Sequence, residues 1–259
     1  MSDYKIIDLT PENISEYGVC GYKDVKKHLE LQKKIQWFGS NYSRGLRIKI
    51  VISEKGGYQG MIEYLPGELA CRPVDAKGYM FINCIFTGFK KEYKNLGYGT
   101  AIIEECIEEA KEKNMLGVAS VTRKGSFMAS DDIFIRMGFE IADERKPDFH
   151  LVVKKFNSES KSPEFRKDTE SRLEEYSEGL TILRSPQCPY TEKNVREIIK
   201  TAKEMYLIEA KIVELETPEA VQKSPCPFGS FCIIWNGEII SHHPISNTRF
   251  INIMKNKIK

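Results

Sequence analysis

The sequence predicts an α/β protein of two domains: a mixed-sheet domain over residues 1–156 and a smaller α/β domain over residues 178–259. Three observations predict it. Short apolar or alternating stretches take turns with stretches of helical period along most of the chain. The run NSESKSPEFRKDTESRLEEYSEG, charged and poor in large apolar residues, separates two such series and marks a linker and short helix over 157–177, with the linker at 157–163 and the mostly exposed helix at 164–176. Within the first series, an apolar strand passes through a Gly-Tyr-Gly step straight into an amphipathic helix.

Each element has its own local reason. Tyr4 to Leu9 alternates as a first strand, and Thr10-Pro11-Glu12 has the form of a helix start with proline in the first turn. Residues 24–37 form a second amphipathic helical stretch. Residues 45–53 (GLRIKIVIS) alternate as a strand, Gly56-Gly57 turns, and residues 58–65 pair back as a hairpin. Residues 67–78, with Pro73, read as a loop, and residues 80–86 as the next strand. In the helix that follows, Ile102, Ile103, Cys106, Ile107 and Ala110 share one face, while Glu104, Glu105, Glu108, Glu109 and Lys111 lie elsewhere. A strand at 117–122, a short helix at 129–137 ended by Gly138, and a strand pair at 139–142 and 149–155 complete the first domain.

The strand-to-helix junction is where chemistry is expected. Gly97 and Gly99 stand at a helix N-terminus, where unpaired amides and the helix dipole favour an anion. Glycine lets a phosphate approach the backbone with no Cβ in the way, and Lys90, Lys91 and Lys94 add positive charge. A pyrophosphate suits such a site. The spacing is neither the GxGxxG of a dinucleotide loop nor the Gly-Lys-Ser/Thr of a triphosphate loop.

Glu92-Tyr93-Lys94-Asn95-Leu96-Gly97-Tyr98-Gly99 resembles the acetyl-CoA loop of the GNAT N-acetyltransferases, Arg/Gln-x-x-Gly-x-Gly/Ala, with Lys94 in the Arg/Gln place. The order of elements resembles the GNAT fold along the whole first domain. The resemblance implies acetyl-CoA as acyl donor, with no metal, and direct transfer to a small amine or an amino-terminal peptide. It implies that Lys94, Asn95, Leu96, Gly97, Tyr98, Gly99 and Thr100 hold the pyrophosphate. The oxyanion amide would come from Thr87, Gly88 or Phe89, with Phe86 the neighbouring option. The family's usual acid is the tyrosine of Tyr-x-x-x-Gly-Phe, but Phe134-Ile135-Arg136-Met137-Gly138-Phe139 has phenylalanine there. The upstream asparagine that touches pantetheine aligns with Ser126 or Phe127. Tyr79, Tyr98 and Ser130 are the substitute acids; Glu63, Asp131 and Asp132 are the carboxylates available as base. His150 precedes the last strand's apolar run and is either cleft-facing or simply exposed. Cys84 and Cys106 read as small buried hydrophobes.

The second domain reads as a strand at 180–183, a helix capped by Thr191 with Val195, Ile198, Ile199, Ala202 and Met205 inward, and a strand at 211–216. A hairpin follows, turning at Asn236-Gly237, and a last helix over 246–259. This order resembles a thioredoxin-like domain. Ser185-Pro186-Gln187-Cys188-Pro189-Tyr190-Thr191 is similar to the Cys-Pro-Tyr-Ser/Cys of glutaredoxins, with Thr191 in the place of the second cysteine or serine. That likeness makes Cys188 a reactive thiol, favoured by the helix N-terminus. The alternative function is thiol-redox or CoA binding, with Cys188 reactive and the first domain only holding CoA. The fold's cis-proline is absent from its usual spacing, where Gly229 stands. The pairing of the two halves resembles the YoaP-type acetyltransferases.

Bulk properties agree with these expectations. A hydrophobic content of 41% and charged content of 29% describe a chain that can bury a core, and a net charge of +2 gives no reason to expect nucleic acid. The N-terminal MSDYKIIDLT lacks the build of a signal peptide, and no apolar run approaches a membrane span. Seven scattered cysteines suit a reducing, cytoplasmic setting, and Cys226 with His242-His243 is too loosely spaced for a zinc signature.

Overall fold

A computed structural model describes residues 3–22, 24–88, 91–169 and 171–258, the side chain of Lys193 excepted. The chain forms two compact units: Met1–Ala70 with Val74–Phe165, and Cys71–Pro73 with Arg166–Lys259.

The strands of unit 1 are β1 (Tyr4–Leu9), β2 (Arg47–Ser53), β3 (Gly57–Pro66), β4 (Val74–Asp75), β5 (Met80–Thr87), β6 (Gly117–Arg123), β7 (Glu140–Arg145), β8 (Phe149–Lys155) and β9 (Glu164–Phe165). Its helices are α1 (Ile14–Tyr17), α2 (Leu29–Tyr42), α3 (Tyr98–Glu112) and α4 (Asp131–Arg136). Seven strands make one mixed sheet in the order β1-β2-β3-β5-β6-β8-β7. Every pairing is antiparallel except β5 with β6, and a parallel pair needs a crossover, which α3 supplies. The face of α3 expected to be apolar is the buried one. It packs on Tyr64, Ile82, Val118 and Val152 to form the core of the unit.

Several elements differ from the sequence reading, each for a local reason. Thr10 begins a turn rather than a helix: its amide donates to the Asn13 side chain at 2.8 Å, and α1 starts only at Ile14. Residues 164–176 are not helical as a whole. Phe165 is buried, its amide donates to Asp143 Oδ2 at 2.8 Å, and Val74 pairs with it across a two-residue ladder. Those tertiary partners outweigh a charged, helix-like composition, and only Ser171–Tyr176 winds into a 3₁₀ turn.

Unit 2 contains β10 (Leu180–Arg184), α5 (Thr191–Tyr206), β11 (Ala210–Glu214), α6 (Pro218–Gln222), β12 (Phe231–Trp235), β13 (Glu238–Ser241) and α7 (Asn247–Lys257). The sheet order is β11-β10-β12-β13, with β10 and β11 parallel and the other pairs antiparallel. Asn236 and Gly237 both have positive φ, as a two-residue hairpin turn of the expected kind requires. Met205 points outward, against its inward assignment, and α6 went unread although Thr217-Pro218-Glu219 carries the signal, Thr217 capping the helix through the Ala220 amide with proline in the first turn. Gly229 is glycine because residues 71–73 run against it. Its φ is +74°, and a Cβ there would lie 2.8 Å from the Cys71 carbonyl oxygen. Arg72 stacks on Phe228 at 5.2 Å, and the Arg166 amide donates to the Pro73 carbonyl at 2.9 Å.

Candidate active site

The site in unit 1 starts with a break in the sheet. β5 and β6 pair only through Met80–Val118, Phe81–Ala119 and Ile82–Ser120. Immediately beyond, the β3–β5 register shifts and leaves Asn83 as an extra residue, a bulge that bends β5 away. Among the described residues, 83–87 keep β3 on one edge and have no β6 partner on the other. Alternate N–H groups along that edge therefore face a gap. Gly88 is not one of them, because its amide donates to the Gln59 carbonyl at 2.8 Å. This corrects its place among the oxyanion donors; Thr87 and Phe86 remain, and Phe89 and Lys90 lie outside the described residues.

The loop follows at the same end of the sheet. Lys91 to Tyr93 form a 3₁₀ turn, Asn95 takes a left-handed φ of 61°, and Lys91, Lys94, Asn95, Leu96 and Gly97 are exposed. Gly97 caps α3 with a φ of 81°, and no side chain caps the helix. The first helical bond runs from the Ala101 amide to the Gly97 carbonyl, so the Tyr98, Gly99 and Thr100 amides precede the helical ladder. A Cβ on Gly97 would meet nothing within 4 Å, whereas one on Gly99 would lie 2.7 Å from Ile133 Cδ1. Gly97 thus keeps a cradle open to solvent, and Gly99 lets α4 pack against the start of α3. An anion of phosphate type fits this cradle.

The opposite face of β3 carries a buried charge pair. Glu63 is wholly buried, with the Lys34 ammonium of α2 on one oxygen and Asn83 Nδ2 3.3 Å from the other. Lys34 also lies 4.6 Å from the Trp37 ring centroid. Burial lowers the Lys34 pKa, but the Glu63 charge outweighs it and holds the ammonium above its ordinary range. A carboxylate so engaged does not abstract a proton from an incoming amine, which corrects the assignment of Glu63 as base. Lys34 went unnoticed in the sequence, although Leu31, Lys34, Phe38 and Asn41 share one helical face and a charge on such a stripe was the available signal.

The aromatic candidates also turn inward. The Tyr98 ring is buried in the core, edge-on to Tyr4 at 5.2 Å, and its hydroxyl has no hydrogen-bond partner there. That removes Tyr98 as an acid while leaving its amide at the helix start. Phe134 is buried edge-on to Phe139 at 5.2 Å. Tyr79 Oη donates to the Lys161 carbonyl at 2.7 Å, and Ser130 Oγ to Asp132 at 2.8 Å. His150 is better placed. It is half-buried on β8 beside Thr122 of β6, with Nδ1 2.9 Å from Asp131 Oδ2 at the start of α4.

In unit 2, Cys188 is half-buried before α5, and its amide contacts the Ser185 carbonyl at 3.4 Å. Thr191 is the first helical residue rather than the cap, and its hydroxyl donates to the Cys188 carbonyl at 3.0 Å rather than to the sulfur. All seven cysteines are thiols. Among the described residues no group of three or more His, Cys, Asp or Glu side chains is arranged to hold a metal, and no helix is long and apolar enough to cross a membrane.

Fold and site together define a mixed α/β protein with an anion cradle beside a split sheet. Comparison with known proteins adds the following. The YoaP-like family model matches residues 210–252. The "Uncharacterized N-acetyltransferase YoaP" of Bacillus subtilis (strain 168) is 27% identical over 252 residues, covering 96% of this chain and 97% of that one. Among solved structures, PaiA N-acetyltransferase from Thermoplasma acidophilum with coenzyme A shares 15% identity at a TM-score of 0.41, over 60% of this chain and all of the other (100%). The GNAT-family YhbS from Escherichia coli with CoA shares 12% at 0.39, over 64% and 91%. A Bacillus anthracis protein described as a streptothricin acetyltransferase, with acetyl coenzyme A, shares 21% at 0.34. This chain spans 64% of its length, under two thirds, using 44% of its own.

Proposed function

We propose that unit 1 is an acetyl-CoA-dependent N-acetyltransferase acting by direct transfer on a small amine or an amino-terminal peptide, and that unit 2 is a thioredoxin-like domain. One observation carries the first reading: the open N-terminus of α3 lies at the same end of the sheet as the edge of β5 that has lost its partner. The 27% identity to the B. subtilis N-acetyltransferase along nearly the whole chain supports it. The sheet order β11-β10-β12-β13, with only β10 and β11 parallel, supports the second.

In this reading the Tyr98, Gly99 and Thr100 amides bind the pyrophosphate of acetyl-CoA, with Lys91 and Lys94 beside them. When bound, acetyl-CoA supplies an activated thioester carbonyl. Backbone amides on the free edge of β5, Thr87 or Phe86 by position, donate to the oxygen as it gains charge. The amine nitrogen bonds to the carbonyl carbon, the carbon–sulfur bond breaks, and His150, held by Asp131, takes the amine's proton. No tyrosine stands where the family places its acid, so the thiolate leaves without one.

The test is acetylation of a panel of primary amines and amino-terminal peptides, read as release of CoA thiol. No release with any amine, from protein that binds acetyl-CoA, would overturn the transferase reading. The alternative is that Cys188, half-buried ahead of α5, is the reactive group and unit 1 only binds CoA; reduction of a glutathione or CoA disulfide that is lost in Cys188→Ser would support it. His150→Asn should lower kcat by about 10²-fold or more, the range of general base help, with KM for acetyl-CoA unchanged. An unaltered kcat would remove His150 as the base.

A further inference from the structure

Three side chains of unit 2 are gathered by the loop before β12 and the end of β13. The register of the β12–β13 hairpin pairs Ile233 with Ser241, so the residues next to that pair, Cys232 and His242, lie at the same end of the hairpin. The loop before β12 folds back on itself. The Cys226 amide contacts Ser224 Oγ at 3.2 Å, the Gly229 amide donates to the Cys226 carbonyl at 2.8 Å, and the Ser230 amide to the Phe228 carbonyl at 2.9 Å. That winding delivers Cys226 Sγ to 3.2 Å from His242 Nδ1 and 3.9 Å from the His242 carbonyl oxygen. Cys232 and the Phe228 amide also act on the same sulfur. Both cysteines are buried, and His242 is half-buried at the rim.

We propose that Cys226 and Cys232 are a dithiol–disulfide couple that exchanges with small disulfides, with Cys226 as the attacking sulfur, Cys232 as the resolving thiol and His242 as the residue that holds the attacking sulfur ready. The geometry separates the roles. Cys226 has an imidazole, a thiol and a backbone amide directed at it, and all three favour its thiolate. Burial pushes the Cys226 thiol up, but the hydrogen bonds from Cys232 and His242 and the histidine's positive charge outweigh it and bring it well below the ordinary thiol range. Burial and the adjacent Cys226 charge push Cys232 the other way, so its proton stays in place until it is needed. Among the described residues, Cys232 from β12 and His242 from the end of β13 are titratable groups that act on the Cys226 sulfur.

The exchange balances. The Cys226 thiolate attacks one sulfur of a disulfide RSSR, forming a mixed disulfide and displacing RS⁻, which takes the proton held by His242. Cys232 then attacks the Cys226 sulfur, the Cys226–Cys232 bond closes, and the second RS⁻ leaves with the proton from Cys232. Two electrons pass from the pair to RSSR, giving two RSH. Burial restricts access to small disulfides at the His242 rim, a selection that the half-buried Cys188 does not impose. The inference is independent of acetyl transfer in unit 1.

The experiment treats the full-length protein with bis(2-hydroxyethyl) disulfide, alkylates the remaining thiols and digests with trypsin. No Lys or Arg lies between Lys223 and Arg249, so the peptide covering residues 224–249 contains both cysteines and no other. That peptide should lose two hydrogens and take up no alkyl group, equally in wild type and Cys188→Ser. In His242→Asn the closure should be about tenfold slower at pH ~6, and the deficit should vanish at pH ~9. This is the net of lost thiolate and the higher nucleophilicity of a more basic sulfur. A merely structural His242 would slow closure at both pH values, and that result removes it from the couple. A doubly alkylated peptide after exposed thiols have exchanged, a stable mixed disulfide at Cys226, or a bridge from either cysteine to Cys188 would each overturn the proposal.

Discussion

Lys34 and Glu63 form a charge pair with no water to solvate either member, and their stability depends on each other. Removing one partner of such a pair leaves an uncompensated buried charge, at a cost of about 3–5 kcal/mol. Glu63→Gln should therefore lower the urea midpoint strongly, and Glu63→Gln with Lys34→Met should recover most of the loss. If the single variant unfolds at the wild-type midpoint, the pair contributes nothing to stability. A second, half-buried cluster links the sheet to α3. Tyr64 Oη donates to Glu109, which also binds Lys113 at 2.5 Å. Burial raises the Glu109 pKa, but the Lys113 and Tyr64 hydrogen bonds outweigh it and the net direction is down. A carboxyl lowered on folding stabilises the protein above its unfolded pKa and loses that contribution as pH falls through the folded value. Tyr64→Phe should thus be less stable than wild type near neutral pH, with the part of the gap that belongs to Glu109 closing in acid. A gap independent of pH would show that Tyr64 acts through packing alone.

At the scale of the element, the start of α3 combines a left-handed cap with empty space on its outer side. A side chain at Gly97 meets no protein atom, so Gly97→Val should leave the fold in place apart from the strain of a left-handed branched residue, about 1–2 kcal/mol. Its branches would occupy the space a phosphate needs. Calorimetry should show loss of acetyl-CoA binding in a protein with an intact thermal transition; unchanged affinity would place the ligand elsewhere. Gly99→Val is the poorer probe, because its Cβ falls 2.7 Å from Ile133 Cδ1 and α4 must shift to admit it.

For the whole molecule, unit 2 is discontinuous in sequence. Cys71–Pro73 belongs to it although the flanking residues belong to unit 1. Arg72 is buried there, with Nη1 3.4 Å from Ser230 Oγ, and Gly229 exists to admit this segment. A fragment beginning at Arg166 would lack it and expose Phe228, Gly229 and Ser230. Amide hydrogen exchange should show weaker protection along β12 in the fragment than in the full chain. Equal protection would mean that residues 71–73 contribute nothing to the stability of the unit.

The sequence by itself determined the repeating elements, because strand alternation, helical period and turn chemistry are encoded within a few neighbouring residues. The buried stripe of α3, the Asn236-Gly237 hairpin and the cradle glycine Gly97 all belong to that class. Only the tertiary structure decided what depends on partners distant in the chain. The bulge at Asn83 is set by the β3 register, and the fate of the Gly88 amide by Gln59. Glu63 is engaged by a lysine 29 residues earlier, and Phe165 becomes a strand residue through Asp143 and Val74. Cys226 and His242 are 16 residues apart, too loosely spaced for a zinc signature, and it is a hairpin and a folded loop that bring sulfur to imidazole. Local preferences act through a few bonds of backbone and are legible in order; charge pairing and burial act through space, and the chain states them only once it has folded.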